Sequence, residues 1–204
     1  MSAILAIDTS SPEFALAIAT GGVVTRSAAC DSLQSHSSLL LKAIDVILES
    51  DRGQLTGLVV ARGPGSYAGL RVGIATAEGL ALALGLPIHG ISTLEAAAAA
   101  ADLRNGIAIH PAGRGQFGCQ AFREGVHEGP LYIATADELS GKTLVGEGAG
   151  ALGGTEVGPV ERCRTALLLA QPLFDSGETG SIEAVYLREP NITVPRQRPP
   201  QLTK

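Results

Sequence analysis

Asp8 ends a short apolar run, Ile4 to Ile7, and is followed by Thr9, Ser10 and Ser11. A carboxylate at the end of a buried strand, beside hydroxyls, can hold a hydrated divalent cation next to a phosphate. The same residues can instead bond turn amides, as Asx and Ser/Thr turns do, and the local sequence leaves both roles open. A second candidate is the loop Gly63-Pro64-Gly65-Ser66-Tyr67-Ala68-Gly69, because amides at the start of a helix attract anions. It is not G-x-x-x-x-G-K-[ST], since Leu70 and Arg71 follow the last glycine, and it is one residue longer than G-x-G-x-x-G. No acid follows the next strand, where Ile88-His89-Gly90 stands. The candidate phosphate contacts are therefore Asp8, Thr9, Gly63 and Gly65.

Other chemistry finds less support. His36, His89, His110 and His127 never fall at i and i+4, the spacing that puts two imidazoles on one helix face for a metal. Ser66 has Pro64 and Ala68 two residues away on either side, so there is no G-x-S-x-G elbow. Cys30, Cys119 and Cys163 are odd in number and contain no CxxC, which fits a reducing, cytoplasmic setting. No catalytic residue and no metal ligand emerges from spacing.

The chain of 204 residues is 45% hydrophobic, ample for a core, yet has three Tyr, four Phe and no Trp. Few rings remain to stack bases, and a net charge of -5 argues against a continuous phosphate-binding face. Arg188, Arg196, Arg198 and Lys204 make the end locally basic among Pro195, Pro199 and Pro200, the composition of a solvated tail. The apolar run from Val72 to Leu86 is shorter than the roughly 20 residues that span a bilayer, so no membrane role is expected.

Turn signals and periodicity predict strands at Ile4 to Asp8, Phe14 to Thr20 and Gly22 to Ala29, then a helix at Ser38 to Ser50. A strand at Leu58 to Ala61, a helix at Leu70 to Leu84, a strand at Pro87 to Ile91 and a helix from Thr93 follow. The last is opened by a Ser92/Glu95 capping pair. After a hinge near Asn105, shorter strands are expected at Gly106 to His110, Gln116 to Phe122, Leu131 to Ala134 and Leu144 to Gly146. The glycine-rich stretch from Gly146 to Gly158 reads as loop, and Thr165 to Gln171 as a short helix stopped by Pro172. The expected division is a first lobe over 1–104, a smaller second lobe over 105–190 and a tail over 191–204.

Two helices carry more apolar surface than one sheet can bury. In the first, only Lys42, Asp45 and Glu49 form a polar stripe. In the second, Gly69, Gly73, Ala77 and Ala81 line one small-residue ridge and Ala75, Gly79 and Ala83 another. Glycine weakens a helix by roughly 1 kcal/mol against alanine, which suggests a close neighbour for these ridges. That neighbour is either this chain's own second lobe or another chain.

The segments ARGPGSYAGLRVGIATAEGLALALGLPIHGISTLE (Ala61 to Glu95), ILAIDTSS (Ile4 to Ser11), SHSSLLLKAIDVIL (Ser35 to Leu48) and AVYLREP (Ala184 to Pro190) resemble the TsaB (YeaZ) family. This family belongs to the glycoprotease-like group of the actin-like ATPase superfamily; the likeness is strong over residues 1 to 100 and thin beyond. It implies an α/β, ribonuclease-H-like first lobe with a shortened second one, and a role in making threonylcarbamoyladenosine in tRNA. The implied partners are a TsaD-like catalytic paralogue and a TsaE-like ATPase, with a homodimer when the chain is alone and tRNA met only indirectly.

The resemblance also implies a pairing surface on the two helices, at His36, Leu39, Leu40, Ala43, Ile47, Arg71, Val72, Ala75, Gly79 and Leu82. It places Asp8 toward nucleotide phosphates. Catalytic members of the group carry H-x-x-x-H where Thr93 and Ala97 stand here. Where fuller members read like DARRGEVY, this chain has Pro111-Ala112-Gly113-Arg114-Gly115-Gln116-Phe117-Gly118, with Pro111 at the acid's position. A non-catalytic subunit with no cofactor of its own, or a weak or shared ATP/ADP site, is expected. The alternative is a stand-alone ATPase or a glycoprotease-like peptidase.

Overall fold

The computed structural model describes residues 2–31, 36–177 and 180–187, with the side chains of 36–38, 50 and 51 outside the description. Arg188 and the basic tail over 191–204 lie outside the described residues. Two five-stranded mixed sheets carry the fold.

The first unit runs β1 (Ala3–Asp8), β2 (Glu13–Thr20), β3 (Val23–Asp31), α1 (His36–Leu48), β4 (Leu55–Ala61), α2 (Tyr67–Leu84), β5 (Ile88–Ile91) and α3 (Thr93–Ala100). Its sheet order is β3-β2-β1-β4-β5: β2 is antiparallel to β1 and β3, whereas β1, β4 and β5 are parallel. The second unit repeats the plan: β6 (Gly106–Pro111), β7 (Gln116–Arg123), β8 (Val126–Thr135), α4 (Ala136–Leu139), β9 (Leu144–Gly146), β10 (Thr155–Glu156) and α5 (Pro159–Ser176). Its order, β8-β7-β6-β9-β10, has the same antiparallel and parallel halves. A single 3-10 turn at Gly150–Leu152 stands where the first unit has α2. The second unit is therefore the shortened copy.

Alternation along β1 sorts its residues between two cores. Ala3, Leu5 and Ile7 join Phe14, Leu16 and Ile18 of β2 under Leu40, Ile44 and Ile47 of α1 and Ala77 and Ala81 of α2. Ile4 and Ala6 face the other way, with Ala15, Ala17 and Ala19, onto Ala96 of α3 and Cys163, Ala166, Leu167 and Ala170 of α5. Because the period is two, Asp8 belongs to this second face, the one α5 covers.

The final helices interlock the units. α3 turns Leu94 and Ala98 to Ala108, Phe122 and Val145 of the second sheet, and α5 closes the first sheet. The expected second lobe over 105–190 thus includes a helix that packs on the first sheet. The expected short helix at Thr165 to Gln171 is longer at both ends, with Pro159 in its first turn and Pro172 inside it. Proline at the first helical position replaces an amide that would have no partner there. The carbonyl deprived of a donor by Pro172 is that of Leu168, an exposed residue.

By length and composition α2 could cross a membrane, but its Gly69, Leu70, Gly73, Ala77 and Ala81 are buried in this fold. Residues 180–187 run along the β5 side of the first sheet, where Val185 N donates to Arg62 O at 2.7 Å and Gly180 N to His89 Nδ1 at 3.1 Å.

Candidate functional site

The two units meet at a buried polar cluster. Asp8, last residue of β1, accepts from Ser10 N at 2.9 Å and Ser10 Oγ at 2.6 Å through Oδ1, and from Arg162 Nε at 2.9 Å through Oδ2. Arg162 lies in the first turns of α5 and is 1% exposed. Its Nη1 donates to Glu147 Oε2 at 2.9 Å and Val157 O at 3.1 Å; its Nη2 donates to Ser11 Oγ at 2.7 Å and Ser10 Oγ at 3.3 Å. Glu147, just beyond β9, also accepts from Ser11 Oγ. His110, on β6, has Nε2 3.3 Å from Ser11 Oγ and 3.5 Å from Glu147 Oε2, and Nδ1 3.1 Å from Pro111 O. One guanidinium therefore joins a carboxylate of the first unit to one of the second.

Burial alone would raise the Asp8 pKa, but the Arg162 charge and the Ser10 hydrogen bonds outweigh it and hold the carboxyl below its ordinary value. Burial would lower the Arg162 pKa; Asp8 and Glu147 raise it instead. Burial, then Arg162, lowers the His110 pKa against the opposing pull of Glu147, so the imidazole is neutral near neutral pH.

Each expected phosphate contact has a partner within the chain. Thr9 Oγ1 donates to Gly69 O at 2.8 Å. A Cβ on Gly65 would lie 2.6 Å from Ser10 Cβ, and one on Gly63, whose φ is +104°, 2.6 Å from Val185 O. Two amides at the head of α2 are also bonded: Ser66 N donates to Ser10 O at 2.7 Å and Gly69 N to Ser66 Oγ at 3.3 Å. Asp8 offers no open oxygen to a hydrated magnesium, and the glycine loop is packed by the Ser10 turn and residues 180–187. These residues do not fit a magnesium nucleotide.

Thr93 and Ala97, which stand where the resemblance puts the histidine pair of catalytic members, are both buried. Among the described residues no three His, Cys, Asp or Glu side chains gather as metal ligands.

The expected pairing residues divide. Leu40 and Ile47 sit in this chain's own core, and Ala43 and Val72 pack half-buried against it. For Leu40 and Ile47 the surface assignment is corrected: the helical period turns them, with Ile44, toward Phe14 and Leu16 of β2. Leu39, Arg71, Ala75, Gly79 and Leu82 are exposed, Leu82 at 87%. The side chain of His36 lies outside the described residues. Arg71 Nη1 donates to Tyr67 Oη at 3.1 Å, and the Tyr67 ring lies 4.9 Å from that of Tyr186.

Sequence reasoning missed Arg162, Glu147, Ser11 and His110 as one group. The available signal was Arg162 itself, a charge beside the apolar stripe of Cys163, Ala166, Leu167 and Ala170.

A β-β-β-α-β-α-β-α unit and its shortened copy, with a polar cluster between them, define an actin-like, ribonuclease-H-like fold. A solved Pseudomonas aeruginosa protein, described as uncharacterized with similarity to peptidase YEAZ, shares the fold at a TM-score of 0.73 and 23% identity, covering 92% of this chain and 100% of that one. The family model "TsaD: tRNA N6-adenosine threonylcarbamoyltransferase" matches residues 6–127, and the chain belongs to that family. Within it the chain is similar to TsaB (YeaZ) proteins. It is 38% identical to the tRNA threonylcarbamoyladenosine biosynthesis protein TsaB of Escherichia coli over 50% of this chain and 46% of that protein. To TsaB of Bacillus subtilis it is 35% identical over 61% of this chain and 58% of that protein. The chain thus spans about half the length of the curated relatives it matches.

Proposed function

We propose that this chain is a non-catalytic subunit of the machinery that makes threonylcarbamoyladenosine in tRNA, acting as a scaffold or activator of a TsaD-like catalytic paralogue. The observation that carries the reading is the face of α2. Ala75, Gly79, Leu82 and Ala83 stand in water in a folded chain, and Gly79 has nothing within 4 Å of where a Cβ would be. A small-residue ridge lets another helix approach closely, and covering it removes apolar area worth about 25 cal/mol per Å² from water. Leu39 of α1, exposed on the same side of the first sheet, extends the surface.

Two further features support a pairing role over catalysis. Thr93 and Ala97 cannot supply imidazole ligands, and the Asp8 carboxylate is already neutralised by Arg162. In this reading the isolated chain forms a homodimer through the same ridge and exchanges it for the paralogue. A TsaE-like ATPase joins the complex, and tRNA is reached through the partner. Nucleotide binds the isolated chain poorly, and any tighter site is shared across the interface. Co-expression with the paralogue tests the reading: a stoichiometric complex on size exclusion, lost with Ala75→Arg, is the expected result. Separate elution of the two wild-type chains would contradict it.

A further inference from the structure

We infer that the cleft between the two units is a cation site which the chain fills with its own guanidinium, so that Arg162 substitutes for a bound cation in holding the units together. Asp8 comes from the end of β1 in the first unit and Glu147 from just beyond β9 in the second. Arg162 bonds both at 2.9 Å, through Nε and Nη1. Two carboxylates brought together at a largely buried site repel each other unless a positive charge sits between them.

The surroundings are built for a planar guanidinium. Nη1 is also fixed by Val157 O, and Nη2 by the hydroxyls of Ser10 and Ser11. Nε and both terminal nitrogens thus have acceptors, the condition under which a fully buried arginine is tolerated. A lysine ammonium is a compact point charge and cannot reproduce this planar fork. His110 does not supply the charge, because it is neutral in this setting. The inference concerns the isolated chain and holds whether or not it pairs with another protein.

Chemical rescue tests it. Arg162→Ala leaves Asp8 and Glu147 facing an unfilled space, and the Glu147 side chain, 22% exposed, gives that space a route to solvent. The variant should unfold roughly 10 °C below wild type, the scale expected for breaking a buried ion pair in a chain of this size. Guanidinium chloride, far below denaturing concentration, should recover at least half of that loss. Sodium chloride at equal ionic strength should not, and wild type should gain nothing from guanidinium.

Equal effects of the two salts, or a variant as stable as wild type, would overturn the inference. If Arg162→Ala does not fold, the triple variant Asp8→Asn, Glu147→Gln, Arg162→Ala becomes the test, since it removes both negative charges without refilling the space that Arg162 leaves. Recovery of the fold supports the cation site; a triple variant that is also unfolded would mean that Arg162 acts by packing, and the inference fails. These results are read on the isolated chain, whereas the partner reading is tested by co-elution, so either can fail alone.

Discussion

The Thr9 hydroxyl donates to the Gly69 carbonyl at 2.8 Å, bringing the turn after β1 directly against the first turns of α2. A Cβ on Gly69 would collide with Thr9 O, and one on Gly73 with Thr9 Oγ1, whereas Gly79, further along the helix, faces open space. Gly69→Ala and Gly73→Ala should each destabilise the fold by about 1–3 kcal/mol, because the methyl group displaces the Thr9 backbone carbonyl at the first position and the Thr9 side chain, with its bond to Gly69 O, at the second. Gly79→Ala should instead stabilise it by about 0.5–1 kcal/mol through helix propensity. Urea unfolding of the three variants checks the order; equal effects at all three positions would refute the close-approach account.

Leu40 and Ala75 both read from sequence as pairing residues, yet Leu40 is 0% exposed and Ala75 is on the surface. Leu40→Glu forces a carboxylate into the core under β2 and should leave the chain unfolded by circular dichroism. Ala75→Arg should keep the wild-type spectrum and thermal midpoint while sedimenting as a monomer. A folded Leu40→Glu variant would contradict the packing of α1.

Much of the first unit was legible because its local signals agree. Ile4 to Asp8 and Phe14 to Thr20 alternate into two cores, Gly21-Gly22 marks the turn, and the helix expected at Leu70 to Leu84 is present, although its N-cap Ser66 starts it at Tyr67. The second unit was harder to read. Its helix after the meander shrinks to Ala136–Leu139, opened by a Thr135/Glu138 capping box, and its next helix to one turn. These pieces are too short to show a period, so the repeat of the first unit's plan was hidden. α5 was foreshortened because Pro172 looked like a stop. Arg162 and Asp8 are 154 residues apart, and no spacing rule links them; only the α5 fold-back onto the first sheet does.

Acid should weaken the fold in two steps. His110 has a lowered pKa when folded, through burial and then Arg162, so the unfolded chain binds more protons below the ordinary value of 6.5. Its contribution is fully present above that value and is lost as pH falls through the folded value. His89, lowered by burial, acts in the same direction. Asp8, held below its ordinary 3.8, adds a second loss below that pH. Glu147, Arg162, Ser11, Asp8 and the Pro111 carbonyl are the groups around His110. Thermal midpoints should fall between about pH 7 and about pH 5, and less steeply in His110→Asn. A midpoint that rises on acidification would contradict this.

With Thr93 and Ala97 where a histidine pair would bind metal, the purified chain should carry no stoichiometric zinc or iron by elemental analysis. One ion per chain, lost on replacing His89 or His110, would contradict the non-catalytic reading.

The central claim is that this chain enables tRNA modification by pairing rather than by chemistry of its own. The most direct measurement is threonylcarbamoyladenosine formation on tRNA in a reconstituted reaction containing the TsaD-like paralogue and the TsaE-like ATPase. The account predicts modification with wild type and with Asp8→Asn, provided that variant is folded, and near-background modification with folded Ala75→Arg or without the chain. Full modification in its absence, or modification by this chain alone, would contradict it.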